Sequence, residues 1–281
     1  MTDKPEIVTK SNALVSATYR LTVAEQRILL GCIAQVTPRE PITDAVMYKV
    51  TAAHIAALAE TDRNSIHEEL KEAALRLSRR EIWITQLPNG GGKHKRTLVT
   101  RWVQTVAYEE GGDIYLRFSK DILPYISELQ KEFTRYALAD ISKFDSAYSI
   151  RLYELMMQYL SKGEREIDVE ELRHILILDD KYPAIADLKK WIIDPAIKDI
   201  NAQTPIHVAY EQIKAGRRIV AFKFLIRSKV KAKQPAAHTA PPATPPAKPT
   251  LTRAYIEKHA RPGESWAAAT ERLQRLLSTS V

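Results

Sequence analysis

Lysines and arginines are the residues of this chain whose types and spacing best indicate a function. No familiar pattern of catalytic residues is found beside them. The seven histidines form neither an H-x-H nor an H-E-x-x-H pattern. The GGGK segment that ends at Lys93 lacks the spacing of a phosphate-binding P-loop and lies between predicted strands rather than before a helix. The single cysteine, Cys32, excludes an internal disulfide. We therefore expect no catalytic residue, no metal and no cofactor, and the basic residues indicate phosphate binding.

Lysine and arginine side chains cluster at four places along the chain. Such cations can hold DNA phosphates or reach base edges, although each cluster also fits an ordinary charged surface. At the end of a helix the ordinary explanation has equal weight, because cations there offset the helix dipole. The candidate DNA-contacting residues are Lys181, Tyr182, Lys189, Lys190 and Lys198, the hairpin residues Lys214, Arg217 and Arg218, the helix-end residues Arg76, Arg79 and Arg80, and the loop residues Lys93, Lys95 and Arg96.

The sequence of residues 144–227 predicts the helices and strands that must position the basic clusters of the second half of the chain. The segment FDSAYSIRLYELMMQYL has apolar residues at helical spacing, with Asp145 or Ser146 as its N-cap. A strand (REIDV), a helix (VEELRHILIL), a turn (DDKYPA), a long helix (ADLKKWIIDPAIKDIN) and two strands (PIHVAYEQI and RIVAFKFLI) follow. This is the order of a winged helix, a helix-turn-helix variant whose second helix enters the DNA major groove.

The apolar residues of these last elements predict which side chains are buried. In the long helix we expect Trp191, Ile192 and Ile193 to lie in the core, and Pro195 to kink or restart the helix. Because side chains alternate along a strand, four residues of the last strand should share its buried face. These are Val220, Phe222, Phe224 and Ile226.

The first half of the chain predicts the same order of elements. Thr22 and Glu25 form a capping box in the helix LTVAEQRILLGCIAQV, and a strand (MYKVT), a helix (AAHIAALAE) and a turn (TDRN) follow. Ser65 with Glu68 forms a second capping box before a long helix. A strand (IWITQL), a glycine-rich turn and one returning strand (TLVTRWVQTVAY) complete the half. The repetition predicts two similar domains in tandem, joined through SKDILPYISELQ.

The net charge of +8 is concentrated beyond the predicted domains. From Ser228 onward there are nine Lys or Arg and three Asp or Glu, so this part carries +6 and the rest +2. The segment 228–250 is rich in Ala and Pro, which predicts a disordered linker, and residues 251–281 regain a helical pattern. The predicted fold class is α+β, with winged-helix domains at 1–125 and 126–227, this linker and a short helical tail. With no signal peptide or apolar span, we expect a cytoplasmic protein without a membrane partner.

Three segments together carry a resemblance to a known family. They are NALVSATYRLTVAEQRILLGCIAQV, FDSAYSIRLYELMMQYL and ADLKKWIIDPAIKDINAQTPIHVAYEQIKAGRRIVAFKFLI. In this order they resemble the Rep initiators of iteron-containing, theta-replicating plasmids, and the resemblance extends from Ile7 to Arg227. The combined order is far more specific than any one segment.

The resemblance implies an N-terminal winged-helix domain that dimerises and also contacts DNA, and a C-terminal one that supplies the main sequence readout. It implies double-stranded DNA as the partner, bound by a monomer at direct repeats of the origin. It further implies that a dimer represses the protein's own gene at an inverted-repeat operator, and that a host replication initiator and helicase are contacted. Two alternatives remain open: a transcriptional regulator of the same fold, and a rolling-circle nickase, which would need a metal-binding histidine pair and a nucleophilic tyrosine.

Overall fold

The computed structural model describes residues 5–59, 63–109, 112–178 and 180–229, together with residues 268, 270, 271 and 275. Its helices are α1 (Asn12–Val15), α2 (Val23–Ile33), α3 (Ala52–Ala59), α4 (Arg63–Leu77), α5 (Leu123–Ile126), α6 (Ala147–Met157), α7 (Val169–Leu176), α8 (Ile185–Leu188) and α9 (Asp194–Gln203). Its strands are β1 (Ile7–Ser11), β2 (Tyr48–Thr51), β3 (Glu81–Gln86), β4 (Lys93–Arg101), β5 (Val103–Tyr108), β6 (Asp113–Phe118), β7 (Phe133–Ala137), β8 (Glu164–Asp168), β9 (Ile206–Ala215) and β10 (Arg218–Ser228).

The second half of the chain has the predicted order of elements. Helix α6 leads to β8, then to α7, a turn, the helical run α8–α9 and the hairpin β9–β10. The three strands form an antiparallel sheet in the order β8-β10-β9. Ser146, one of the two predicted caps, accepts from the backbone N–H groups of Tyr148 and Ser149 at the start of α6.

The predicted burial of Val220 is wrong because β10 contains a β-bulge. The pairing register with β9 shifts between Ile219 and Ala221, so the alternation of faces is broken there. Val220 is therefore 39% exposed, whereas Ala221 is buried beside Phe222. The other three predicted core residues of this strand are buried, as expected.

The first half differs from the prediction in its strands. The single returning strand is in fact two strands, β4 and β5, which separate at the fully buried Trp102. Strand β4 pairs with β3, whereas β5 pairs with β6, a strand that the sequence pattern did not reveal. The chain therefore leaves one sheet and enters another at Trp102, which lies in the core. The resulting sheet has the order β2-β6-β5.

The starts of the helices in the first half follow the local signals with one shift. The capping box of Thr22 and Glu25 is present at the start of α2. Helix α4 begins at Arg63, two residues before the predicted start at Ser65. The predicted join, which contains Pro124, is a 3₁₀ turn followed by the short helix α5.

A fourth, two-stranded sheet was not predicted at all. Strand β1 pairs with β7 in antiparallel register, with Ile7 opposite Ala137 and Ser11 opposite Phe133. The two strands are far apart in sequence, so no local turn signal announces the pairing.

Helix α6 is tied to β1 and β7 by a buried ionic cluster. Glu154 of α6 forms an ion pair with Lys10 of β1, and its carboxylate accepts from the hydroxyl of Tyr136 at 2.5 Å. Arg151 donates to the same carboxylate at 3.3 Å and to the hydroxyl of Tyr19 at 2.5 Å. Every member of the cluster is buried. The side chains of Arg151 and Glu154 therefore connect α6 to elements of the first half of the chain.

The same helix also contacts the second half. The hydroxyl of Ser149 donates to the carboxylate of Asp199 on α9 at 2.6 Å. Since α6 packs on elements from both halves, the boundary between 125 and 126 stays a prediction. The predicted linker lies outside the described residues. Within the predicted tail only residues 268, 270, 271 and 275 are described, and they are helical.

Candidate nucleic-acid interface

The turn between α7 and α8 is held by Arg173, a residue that the sequence analysis did not single out. Its guanidinium donates to the carbonyl of Lys181 at 3.0 Å and to that of Tyr182 at 2.6 Å. A third bond reaches the carbonyl of Pro183 at 3.2 Å. These three bonds fix the direction in which α8 begins. Lys181 is exposed, while Tyr182 has φ 54 and is half-buried against the core.

The helical run α8–α9 is continuous but contains a π turn, Lys189–Ile193. Pro195 lacks an N–H and cannot donate to the carbonyl of Trp191 four residues back. The N–H of Asp194 bonds instead to the carbonyl of Lys189, five residues back. The predicted restart at Pro195 is therefore wrong, because the helical run is continuous and accommodates the proline by inserting one residue into a turn.

The solvent face of this helical run carries two of the predicted lysines in exposed positions, Lys190 and Lys198. Lys189 is half-buried. The prediction that Trp191 is buried is wrong, because its side chain is 56% exposed, while Ile192 and Ile193 lie in the core as expected. The ammonium of Lys190 lies 4.8 Å from the centre of the Trp191 ring.

Acidic residues share the same face of the run. Asp187 and Asp194 are exposed, and the hydroxyl of Tyr210 on β9 donates to Asp194 at 2.7 Å. Carboxylates repel phosphates, but they accept hydrogen bonds from cytosine N4 in the major groove. The face therefore combines cations, acceptors and one aromatic ring rather than a uniform positive charge.

The hairpin β9–β10 forms the wing beside this helix. Gly216 at its tip has φ +62, a conformation that glycine adopts without strain. The three predicted basic residues of the tip, Lys214, Arg217 and Arg218, are all exposed. A groove of about 800 Å³ runs between α7 and the wing, with Arg173, Arg217 and Arg218 in its walls. The wing arginines therefore lie close to the turn that Arg173 holds.

The hairpin β3–β4 of the first half exposes its basic residues in the same manner. Lys93, Lys95 and Arg96 are exposed. Between them, His94 Nε2 lies 2.6 Å from the hydroxyl of Tyr125. Burial and the nearby Asp121 raise the pKa of Tyr125 to about 12, so this phenol keeps its proton and anchors the hairpin at neutral pH.

The three arginines at the end of α4 have different surroundings. Arg79 is exposed. The guanidinium of Arg80 holds the buried carboxylate of Glu25 with donor distances of 3.0 to 3.1 Å. Arg76 Nε lies 3.4 Å from the same carboxylate, and another of its nitrogens lies 3.2 Å from Glu72. Among the described residues, Arg79 thus has no acidic partner, whereas Arg76 and Arg80 neutralise acidic residues.

Within the described ranges, no group of three or more His, Cys, Asp or Glu residues is placed to hold a metal ion. In the same part of the chain, no helix is long and apolar enough to cross a membrane.

Comparison with protein families gives a match over more than half of the chain. The family model described as Initiator Replication protein, WH1, matches residues 7–157. The chain belongs to this initiator family. A second model, Initiator Rep protein, WH2, matches residues 168–226. The two matches confirm the predicted family and its two winged-helix domains.

Relatives in Escherichia coli agree with this assignment to the initiator family. A replication initiation protein is 27% identical over 218 residues, which cover 75% of this chain and 66% of that protein. The PI protein is 26% identical over 243 residues, which cover 76% of this chain and 80% of that protein. A crystal structure of the Pi initiator protein in complex with iteron DNA superposes with a TM-score of 0.65. At 23% identity it covers 79% of this chain and 97% of that one, and it confirms the fold.

Two residues of this initiator's second winged helix were missed or misjudged from sequence. The role of Arg173 was not predicted, because its partners are backbone carbonyls and every residue type has one. Trp191 was assigned to the core because it adjoins Ile192 and Ile193, and the π turn that alters its position is signalled only by Pro195.

Proposed function

We propose that this protein is a sequence-specific DNA-binding initiator of plasmid replication that acts without an enzymatic activity of its own. The observation that carries the proposal is the second winged helix, in which an exposed helix face with Lys190 and Lys198 lies beside an exposed basic wing. The second helix of a helix-turn-helix reads base edges, and basic hairpins hold phosphates. The Pi initiator was crystallised with iteron DNA, which supports repeated origin sites as the target.

The predicted contact residues other than Arg76 and Arg80 each have a proposed role in this mode of binding. Lys190 and Lys198 face the major groove, with Lys181, Tyr182 and Lys189 at its margin. The wing residues Lys214, Arg217 and Arg218 hold the phosphate backbone, as do Arg79, Lys93, Lys95 and Arg96 of the first domain. We assign no direct DNA contact to Arg80 because Glu25 occupies its guanidinium, and Arg76 has at most a secondary one.

We further propose that the assembly state selects the DNA target in the cytoplasm. A monomer would bind each direct repeat with both domains. A dimer would match the two-fold symmetry of an inverted repeat and repress the protein's own gene. A host replication initiator and helicase would then be recruited at the origin.

Footprinting on the DNA that flanks the protein's own coding region tests this function. We expect protection of tandem direct repeats, protection of an inverted repeat near the promoter, and replication of a plasmid that carries the repeats when the protein is supplied in trans. Sedimentation with each DNA should find a monomer on a single direct repeat and a dimer on the inverted repeat. Protection of one palindrome without replication in trans would identify a transcriptional regulator, and metal-dependent cleavage of a supercoiled origin would identify a nickase.

Replacing Arg217 and Arg218 with alanine is expected to weaken binding about equally on matched and scrambled sites. Loss of a phosphate contact removes an electrostatic term that does not depend on sequence, and it lowers the steepness of the salt dependence by about 0.9 per contact. Filter binding over a range of salt concentrations measures both quantities.

Arg227→Ala is the control for this wing variant, because Arg227 is exposed on the same strand at the end far from the tip. It should leave the salt dependence close to that of the wild type. A collapse of specificity with unchanged salt dependence in the wing variant would contradict the phosphate-holding role.

A further inference from the structure

A large aromatic side chain stands exposed in the middle of the helix that we propose to read DNA. Trp191 is 56% exposed, whereas the two residues after it lie in the core. In the described part of the second domain, the other large hydrophobic side chain with high exposure is Val220 at the β-bulge. An exposed tryptophan in a soluble domain commonly marks a contact surface, because its ring supplies a large apolar area with few rotatable bonds.

The position of Trp191 follows from the local backbone. It occupies the centre of the π turn that accommodates Pro195, and such turns often occur at functional sites. The Lys190 ammonium lies 4.8 Å from the ring centre. A cation over the ring helps to hold its orientation before any partner arrives.

The surroundings of Trp191 favour DNA over a protein surface as the occupant. Lys190 and Lys198 are exposed on the same helical run, and the basic wing lies beside it. Protein interfaces have a core depleted of charged residues, whereas here charged side chains flank a single aromatic ring. The exposed Asp187 and Asp194 lie one turn from Trp191 on either side, and DNA also suits them, because its major groove offers cytosine N4 donors and an apolar methyl group beside the phosphates.

The major groove of DNA offers one apolar group on its base edges, the C5-methyl of thymine. We propose that Trp191 packs on this methyl group and makes the protein prefer thymine at the contacted position. The inference rests on the proposed function and adds to it a residue that determines sequence specificity. Lys190 then keeps the ring in place and reaches a phosphate or a base acceptor with the same ammonium group.

The test compares thymine with uracil, which pairs identically but lacks the methyl group. A pool of random duplexes is first selected with the full-length wild-type protein, and the recovered consensus is synthesised with thymine or with uracil. For the wild type we expect about fourfold weaker binding to uracil DNA per contacted methyl, which corresponds to the burial of one methyl group at ~0.8 kcal/mol. Trp191→Ala should bind the two duplexes with equal affinity, and Trp191→Phe should retain part of the difference.

Val46→Ala is the matched control, since Val46 is 41% exposed and lies outside the winged-helix hairpins and their helices. It should keep the full discrimination of the wild type. Equal binding of both duplexes by the wild type, or undiminished discrimination by Trp191→Ala, would overturn the assignment. Failure of the wild type to enrich any sequence would instead refute the proposed function itself.

Discussion

Replacing Glu154 with glutamine is expected to lower the free energy of unfolding by about 3–5 kcal/mol, the usual cost of leaving a buried charge unpaired. The Glu154 carboxylate accepts from Lys10, Tyr136 and Arg151, and all four side chains are buried. Burial lowers the pKa of Lys10 even with this carboxylate beside it. Without the carboxylate, the ammonium and the guanidinium face each other in the interior with no opposite charge.

The pH dependence of stability gives a second measure of the same interaction. Burial by itself would raise the pKa of Glu154, but Lys10 and Arg151 outweigh it and hold the pKa below its ordinary value. A depressed pKa in the folded state contributes stability above the unfolded pKa, and this contribution is lost as the pH falls through the folded pKa. The wild type should therefore lose stability in acid over this range, whereas Glu154→Gln should lack that part of the loss.

Urea unfolding at several pH values measures both effects. Glu166→Gln is the control, because this substitution removes the same charge from an exposed position on β8. The double variant Lys10→Met with Glu154→Gln should be more stable than Glu154→Gln alone by at least ~1 kcal/mol, since it removes one of the two unpaired cations. A loss below ~1 kcal/mol for Glu154→Gln would mean that the cluster does not stabilise the packing of α6.

Replacing Arg80 with alanine is expected to lower the free energy of unfolding by about 2–3 kcal/mol, because hydrogen bonds to a charged group are lost and a buried acceptor is left short of donors. Arg80 donates to both oxygens of Glu25, which is 0% exposed. Glu25 also completes the capping box of α2 through the N–H of Thr22. Arg76 remains 3.4 Å away and limits the loss.

The neighbouring residue supplies a matched control for this variant. Arg79→Ala removes the same side chain from an exposed position and should change stability by less than ~0.5 kcal/mol. The two variants should have the opposite ranking in DNA binding, because the exposed Arg79 can hold a phosphate whereas Arg80 is held by Glu25. Arg79→Ala should therefore reduce the salt dependence of binding, and folded Arg80→Ala should leave it unchanged. Equal stability of the two variants would show that the Glu25 pair contributes nothing measurable.

The sequence predicted the elements whose signals are local. The capping box at α2 and the N-cap at α6 each depend on side chains within three residues of the groups they bind. The wing tip needs a glycine, and Gly216 has the positive φ that a tight turn demands. Together with hydrophobic periodicity, these signals were enough to predict the order of a winged helix. That order placed the basic clusters on helices and hairpins, and so it indicated the candidate contact residues.

Only the tertiary structure decided which of those residues are exposed and which are paired with acidic residues. Arg79 and Arg80 are adjacent and chemically identical, yet one is exposed and the other pairs with Glu25, 55 residues away. The exposure of Trp191 depends on a backbone register that Pro195 shifts, and that of Val220 depends on a bulge against β9. A cap or a turn is closed by neighbours in sequence, so its residues reveal it. A side chain's burial is set by partners distant in sequence and by one-residue shifts in hydrogen bonding, and neither leaves a local pattern to read.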